Sequence, residues 1–229
     1  MQKNIGIVVF VIAVLVGGWY MMSANKNMEE PVVVEQENNQ EAENEVVTET
    51  QTQQKVLNIV SAESKATYDI NEVLKGKKTH VTGTSQALSG TLTVDTTSNK
   101  ILGGEVKLDA TSLKTDIATR DGNVKTLILK ADKPGNEFIV FTVTSIEGMS
   151  ESVLPDTDFP IKVTGNMTIA GVTKSVTFDG VAKLGTDQSV TIKAGTTLTY
   201  ADFGLVIPDF SFLANVDKTV KLSVELVAR

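Results

Sequence analysis

From about Ala66 onward, apolar and polar residues alternate. The pattern runs through "SGTLTVD" (89–95), "GEVKLDATSL" (104–113), "EFIVFTVTSI" (137–146), "FPIKVTGNMTIAG" (159–171), "KSVTFDGVAKL" (174–184), "SVTIKAGTTLTY" (189–200) and "KTVKLSVELVA" (218–228). A period of two marks strands with one buried face, and Val, Ile, Thr and Phe fit a pleated sheet. Gly, Asn and Asp punctuate the strands at spacings of about ten residues, as in an antiparallel meander. "TSNK" (97–100), "GTDQ" (185–188) and "AGVTK" (170–174) predict turns. The last is so tight that 163–182 should form a hairpin.

One stretch departs from the pattern. "TRDGNVKTLILKAD" (119–132) places Val124, Leu127, Ile128 and Ala131 at helical spacing. This predicts a short helix that starts near Asp121, is capped by it and lies across one end of the sheet. A parallel sheet would need many more helices. The expected fold is therefore all-β: an antiparallel, lipocalin-like barrel of about eight strands, which leaves no exposed edge.

Ahead of the barrel the texture is different. Ile5 to Met22, "IGIVVFVIAVLVGGWYMM", has no charged residue over 18 positions, the lower limit for a membrane-spanning helix. Its end is bulky, and Trp19 and Tyr20 suit the lipid–water interface, which favours an uncleaved anchor over residues 1–22 rather than a cleaved signal peptide. Lys3 precedes the run and glutamates follow it, so the positive-inside rule places the domain on the outer side. Residues 23–60 hold eight glutamates against Lys26 and Lys55, with little apolar bulk. Such a segment is expected to be a disordered acidic linker, leaving 61–229 as the domain.

Composition then narrows the chemistry. The chain has no cysteine and one histidine, His80, so thiolate nucleophiles, disulfides and His or Cys metal clusters are ruled out. The net charge of −7 argues against a nucleic-acid partner. No nucleophile–base–orienter set stands out, so the expectation is a protein that is not an enzyme and needs no cofactor. Asp202 of "ADFG" lacks the other motifs of a kinase. His80 has no carboxylate at metal-like spacing. Lys75, Lys77 and Lys78 read as a solvated face.

Several motifs together resemble the YceI family of lipocalin-like β-barrels that bind polyisoprenoid lipids. They are "TYDINEV", "SGTLTVD", "SLKTDIATRDGNVKTLIL", "EFIVFTVTSI", "VTGNMTIAGVTKSVTFDG", "YADFGLVIPDF" and "VKLSVEL", in that order over about 66–229. The departures are Glu137 or Phe138 where the family has a Pro, Tyr200 where it commonly has an Arg, and Asn71-Glu72 near the place of its early His-Ser pair. The resemblance implies a tubular apolar interior for a long isoprenoid chain, such as a polyprenyl phosphate or a quinone tail. Arg120-Asp121 resembles the family's pair and reads first as a salt bridge and cap at the helix start, second as a headgroup contact.

The residues themselves lead to a compatible place. Alternation supplies an apolar inward face: Leu92 and Val94; Val106 and Leu108; Ile139, Phe141 and Val143; Met167 and Ile169; Val176 and Phe178. Leu127 of the helix and Phe203 of the "ADFG" turn join them as candidate cavity-lining residues. A small barrel either encloses one ligand or fills with its own side chains. Two functions follow: a membrane-tethered carrier, store or sequestering protein for a long-chain, isoprenoid-type lipid, or a structural or adhesion module of the cell envelope with a filled interior.

Overall fold

The computed structural model of the chain describes residues 53–149, 154–209, 211 and 213–229. The predicted anchor and all but the last eight residues of the predicted linker lie outside these. No helix among the described residues is long and apolar enough to cross a membrane.

Eleven strands are described: β1 (Gln54–Asn58), β2 (Lys65–Leu74), β3 (Lys77–Ser85), β4 (Leu88–Asp95), β5 (Lys100–Asp109), β6 (Phe138–Glu147), β7 (Phe159–Ile169), β8 (Val172–Leu184), β9 (Val190–Thr199), β10 (Leu213–Val216) and β11 (Thr219–Ala228). All pair antiparallel, in the order β1-β4-β5-β6-β7-β8-β9-β11-β2, with β10 beside the far end of β2 and β3 along its other edge. The sheet curls until the end of β1 approaches the end of β11: Ile59 bridges Ala228, and Asn58 and Arg229 exchange backbone hydrogen bonds of 2.7 and 3.0 Å. The expected hairpin forms with Ile169 opposite Val172 and Ala170-Gly171 as the turn. Both turn residues have positive φ, 48° and 80°, as a type I′ hairpin turn demands.

Three strands were not foreseen, so the count is eleven among the described residues rather than about eight. β1 changes the domain boundary: it lies inside the segment assigned to the linker, yet Leu57 is fully buried in the core. The domain therefore begins by Gln54, not at 61. Replacing Leu57 with alanine should lower unfolding stability by roughly 3 kcal/mol, because a packed site relaxes little around a lost isobutyl group. Denaturant unfolding checks this, and an unchanged midpoint would return β1 to the linker.

The helical stretch also differs in detail. α1 (Ala118–Asn123) starts three residues before Asp121 and has no side-chain cap. The Asp121 carboxylate instead accepts from the Thr115 backbone N–H at 2.8 Å and its hydroxyl at 2.7 Å, tying down the loop ahead of the helix. From Val124 to Ile128 the winding widens to a π-helix, with the Leu129 N–H reaching back to the Val124 carbonyl at 2.8 Å.

Candidate functional site

The inner face of the curled sheet, together with α1 and the π turn, surrounds a cavity of about 700 Å³. Period two builds its wall. In β7 the side chains of Ile161, Val163, Met167 and Ile169 are buried, while Pro160, Lys162 and Asn166 are exposed. β11 turns Val220, Leu222, Val224 and Leu226 inward in the same way, and β9 contributes Ile192, Ala194 and Leu198.

Glycines make room for the largest rings. A Cβ at Gly165 would sit 2.6 Å from the Phe141 ring. That ring spreads over the glycine and meets Phe178 edge-on, with centroids 5.2 Å apart and planes at 77°. Gly83 does the same for Tyr68, its cross-strand partner, whose ring would lie 2.1 Å from an added Cβ.

Nine predicted residues come together on this wall: Leu92, Val106, Leu108, Ile139, Phe141, Val143, Met167, Ile169 and Phe178. Four do not. Val94 is buried, but the ladder slips between Thr93 and Val94, and it packs in the core away from the cavity. Val176 and Phe203 are also buried, and both border a separate small hollow edged by Lys174, Thr177 and Asp202. Leu127 is 44% exposed, because the π turn directs Val124 and Ile128 to the cavity and turns Leu127 outward.

The sequence reading missed the polar end of the cavity. Strand β2 turns Ala66, Tyr68, Ile70, Glu72 and Leu74 inward, every second residue. Arg120 of α1 meets Glu72 there at 2.8 Å, and their side chains are only 14% and 10% exposed. Its other nitrogen bonds Asp116 at 2.6 Å and Thr115 at 3.3 Å. The salt bridge read at the helix start therefore exists, but with Glu72 and Asp116 rather than Asp121. Burial works against the Arg120 charge, yet the bonds to Glu72 and Asp116 outweigh it and hold the guanidinium above its usual pKa. Burial pushes the Tyr68 phenol up to about 12, against a smaller opposing pull from Arg120. Its hydroxyl is thus a neutral donor at any physiological pH. The alternation of "TYDINE" could have revealed Tyr68 and Glu72 as neighbours on one face.

The remaining polar candidates sit elsewhere. His80 is on the outer face of β3, 3.0 Å from Asn71 and 3.1 Å from Asp69. Lys75 borders the cavity, whereas Lys77 and Lys78 are exposed on β3. Among the described residues no group of His, Cys, Asp or Glu could hold a metal ion.

A family model described as the YceI-like domain matches residues 57–228. Among solved structures, Burkholderia cenocepacia BcnA superposes with a TM-score of 0.57 at 17% identity, covering 75% of this chain and 99% of its own. A polyisoprenoid binding domain from Saccharophagus degradans, implicated in plant cell wall breakdown, gives 0.60 at 14% identity, covering 76% and 97%. Identities this low establish a shared fold. No curated protein matches the chain.

Proposed function

We propose that this chain, which belongs to the YceI-like domain family, binds a long apolar lipid of the isoprenoid type inside its curled sheet. One observation carries the reading: the cavity of about 700 Å³, walled almost entirely by aliphatic and aromatic side chains. That volume falls within the range of small-molecule sites, roughly 300–1,000 Å³. An apolar void of this size gains nothing from water and gains roughly 25 cal/mol for each Å² of lipid surface it shields. A filled interior, as the structural-module alternative requires, would leave no such space. The name of the Saccharophagus degradans domain supports an isoprenoid over other long chains.

The protein acts in this reading as a carrier, store or sequestering protein, not as a catalyst. Its support is the wall itself, which offers apolar surface and shape to a long chain. Residues 1–22 tether the domain on the outer side of a membrane, a placement supported by the uncharged run and by Lys3 ahead of it. N-terminal sequencing of membrane-extracted protein should begin within the first few residues; a start at or after Asn25 means a cleaved signal instead.

Binding is tested with the delipidated domain and a polyene that fluoresces in apolar surroundings. Uptake should saturate at one polyene per chain and reverse on adding a long prenol. No saturable uptake would favour the structural module.

A further inference from the structure

The cavity is open at one end of the sheet and packed shut at the other. Toward the β8–β9 turn, Leu57, Ile161, Ala182, Leu184, Val190 and Ala228 are buried, and none of them lines the cavity. At the opposite end the lining includes exposed residues: Lys75 in the β2–β3 turn, and Ile117 and Thr119 at the start of α1. These mark the mouth, where the cavity meets solvent.

The rim of the mouth carries apolar side chains on its outside too. Eight large apolar residues are exposed among the described residues, and four of them adjoin the lining. Ile117 belongs to it. Leu127 precedes the lining residue Ile128, Phe138 precedes Ile139, and Val206, 71% exposed, stands between Leu205 and Ile207. They come from three separate stretches: α1 with its π turn, the start of β6, and the loop that leads to β10, whose Leu213 pairs Leu74 beside Lys75. By contrast, Val56, Leu102 and Val181 have no lining residue next to them in sequence. An exposed apolar rim that continues into an apolar interior fits lipid on both sides of the mouth. Both signs of charge are exposed around it, Lys75 and Lys77 with Asp116 and Asp209, so the attraction rests on apolar surface rather than on net charge.

The chain ahead of β1 is long enough for the mouth to reach a membrane. β1 starts at the shut end, where Gln54 lies opposite Asp95 and the Lys55 ammonium donates to Gln188 of the β8–β9 turn at 2.8 Å. A strand of 13 residues such as β8 spans about 43 Å. The roughly 30 residues between the anchor proposed above and β1 reach up to about 100 Å. Anchor and mouth can therefore share one membrane.

Building on the lipid-binding reading, we propose that the mouth docks on the surface of a lipid bilayer, with Ile117, Leu127, Phe138 and Val206 dipping below the headgroups, and that the lipid moves there between leaflet and cavity without crossing water. A free isoprenoid in water exposes all the apolar area that the cavity shields; contact between mouth and leaflet removes that barrier.

The test uses the full chain in phosphatidylcholine vesicles, with Trp19→Phe as background so that a single indole reports. The indole introduced by Val206→Trp should be quenched about threefold or more by lipids brominated at the top of their acyl chains, and that introduced by Val181→Trp should not. Exchange of the polyene between cavity and bilayer is followed in vesicles whose lipids carry a nitroxide quencher. Leu127→Asp with Val206→Asp should slow exchange about tenfold or more in both directions, because a carboxylate resists burial below the headgroups. The partition between cavity and bilayer should stay unchanged, since neither residue lines the cavity. Quenching no stronger at the position of Val206 than at that of Val181, or an unchanged exchange rate, overturns the docking and leaves the container intact. Polyene that never leaves the bilayer, with or without the substitutions, overturns the container and the transfer with it.

Discussion

Replacing Met167 with tryptophan is expected to abolish lipid uptake while leaving the fold standing. Met167 is buried on β7, opposite Phe141 on β6, and projects into the cavity. An indole there would fill space that the lipid chain needs. In a close-packed core the added volume would force side chains off their rotamers at a cost of about 1–3 kcal/mol. Beside an open cavity the ring has somewhere to go. Affinity should fall by about a hundredfold or more, while stability changes by less than about 1 kcal/mol. The described domain has no other tryptophan, since Trp19 lies in the predicted anchor, so the new indole reports on its own surroundings. Fluorescence, melting and binding on one sample separate the outcomes. A large loss of stability with binding unchanged would mean that Met167 packs in a filled interior.

The second large effect concerns the sheet. Gly90 lies opposite Val106 in the β4–β5 ladder with φ of +124°, and a Cβ there would sit 2.0 Å from the Glu105 carbonyl oxygen. Backbone cannot swing aside as a side chain can. Alanine at this position must both adopt a disfavoured conformation and push two paired strands apart. We expect a loss of about 4 kcal/mol or more, at the upper end of single substitutions. Gly103 of β5 is the matched control: its added Cβ meets nothing within 4 Å and its φ is ordinary. Gly103→Ala should stay within about 0.5 kcal/mol. Equal losses at both positions would mean that general strand flexibility, not close approach, governs the effect.

These two sites differ in how far the sequence discloses them. Met167 was legible, because alternation in "GNMTIAG" fixes which side chains share a face. The strong strands β4 to β9 and β11 were legible for the same reason. β3, "KKTHVTGTS", was not: its inward positions include only one large apolar residue, Val81. Its neighbour Gly83 is vacant because the Tyr68 ring from β2 occupies that space, so half of the face belongs to another strand. β1 and β10 have five and four residues, too few for a period to stand out from an acidic or loop-like context.

Periodicity also says nothing about where a cavity ends along a strand. Val94 and Val176 point inward like their neighbours, yet they lie past its limits. Leu127 follows helical spacing, but the π turn rotates it out, and nothing in "VKTLI" announces that widening. The Glu72–Arg120 pair joins residues 48 apart, so the fold alone brings it together. "RD" suggested a cap because a helix start needs one, but Asp121 was already engaged by Thr115.

The most direct test of the container is native mass spectrometry of the full chain, extracted from its own membranes in mild detergent. One added lipid per chain is expected, with masses spaced by isoprene units, and none on the Met167→Trp protein. A bare mass in every preparation, from a protein that also refuses added prenol and quinone, would contradict the container.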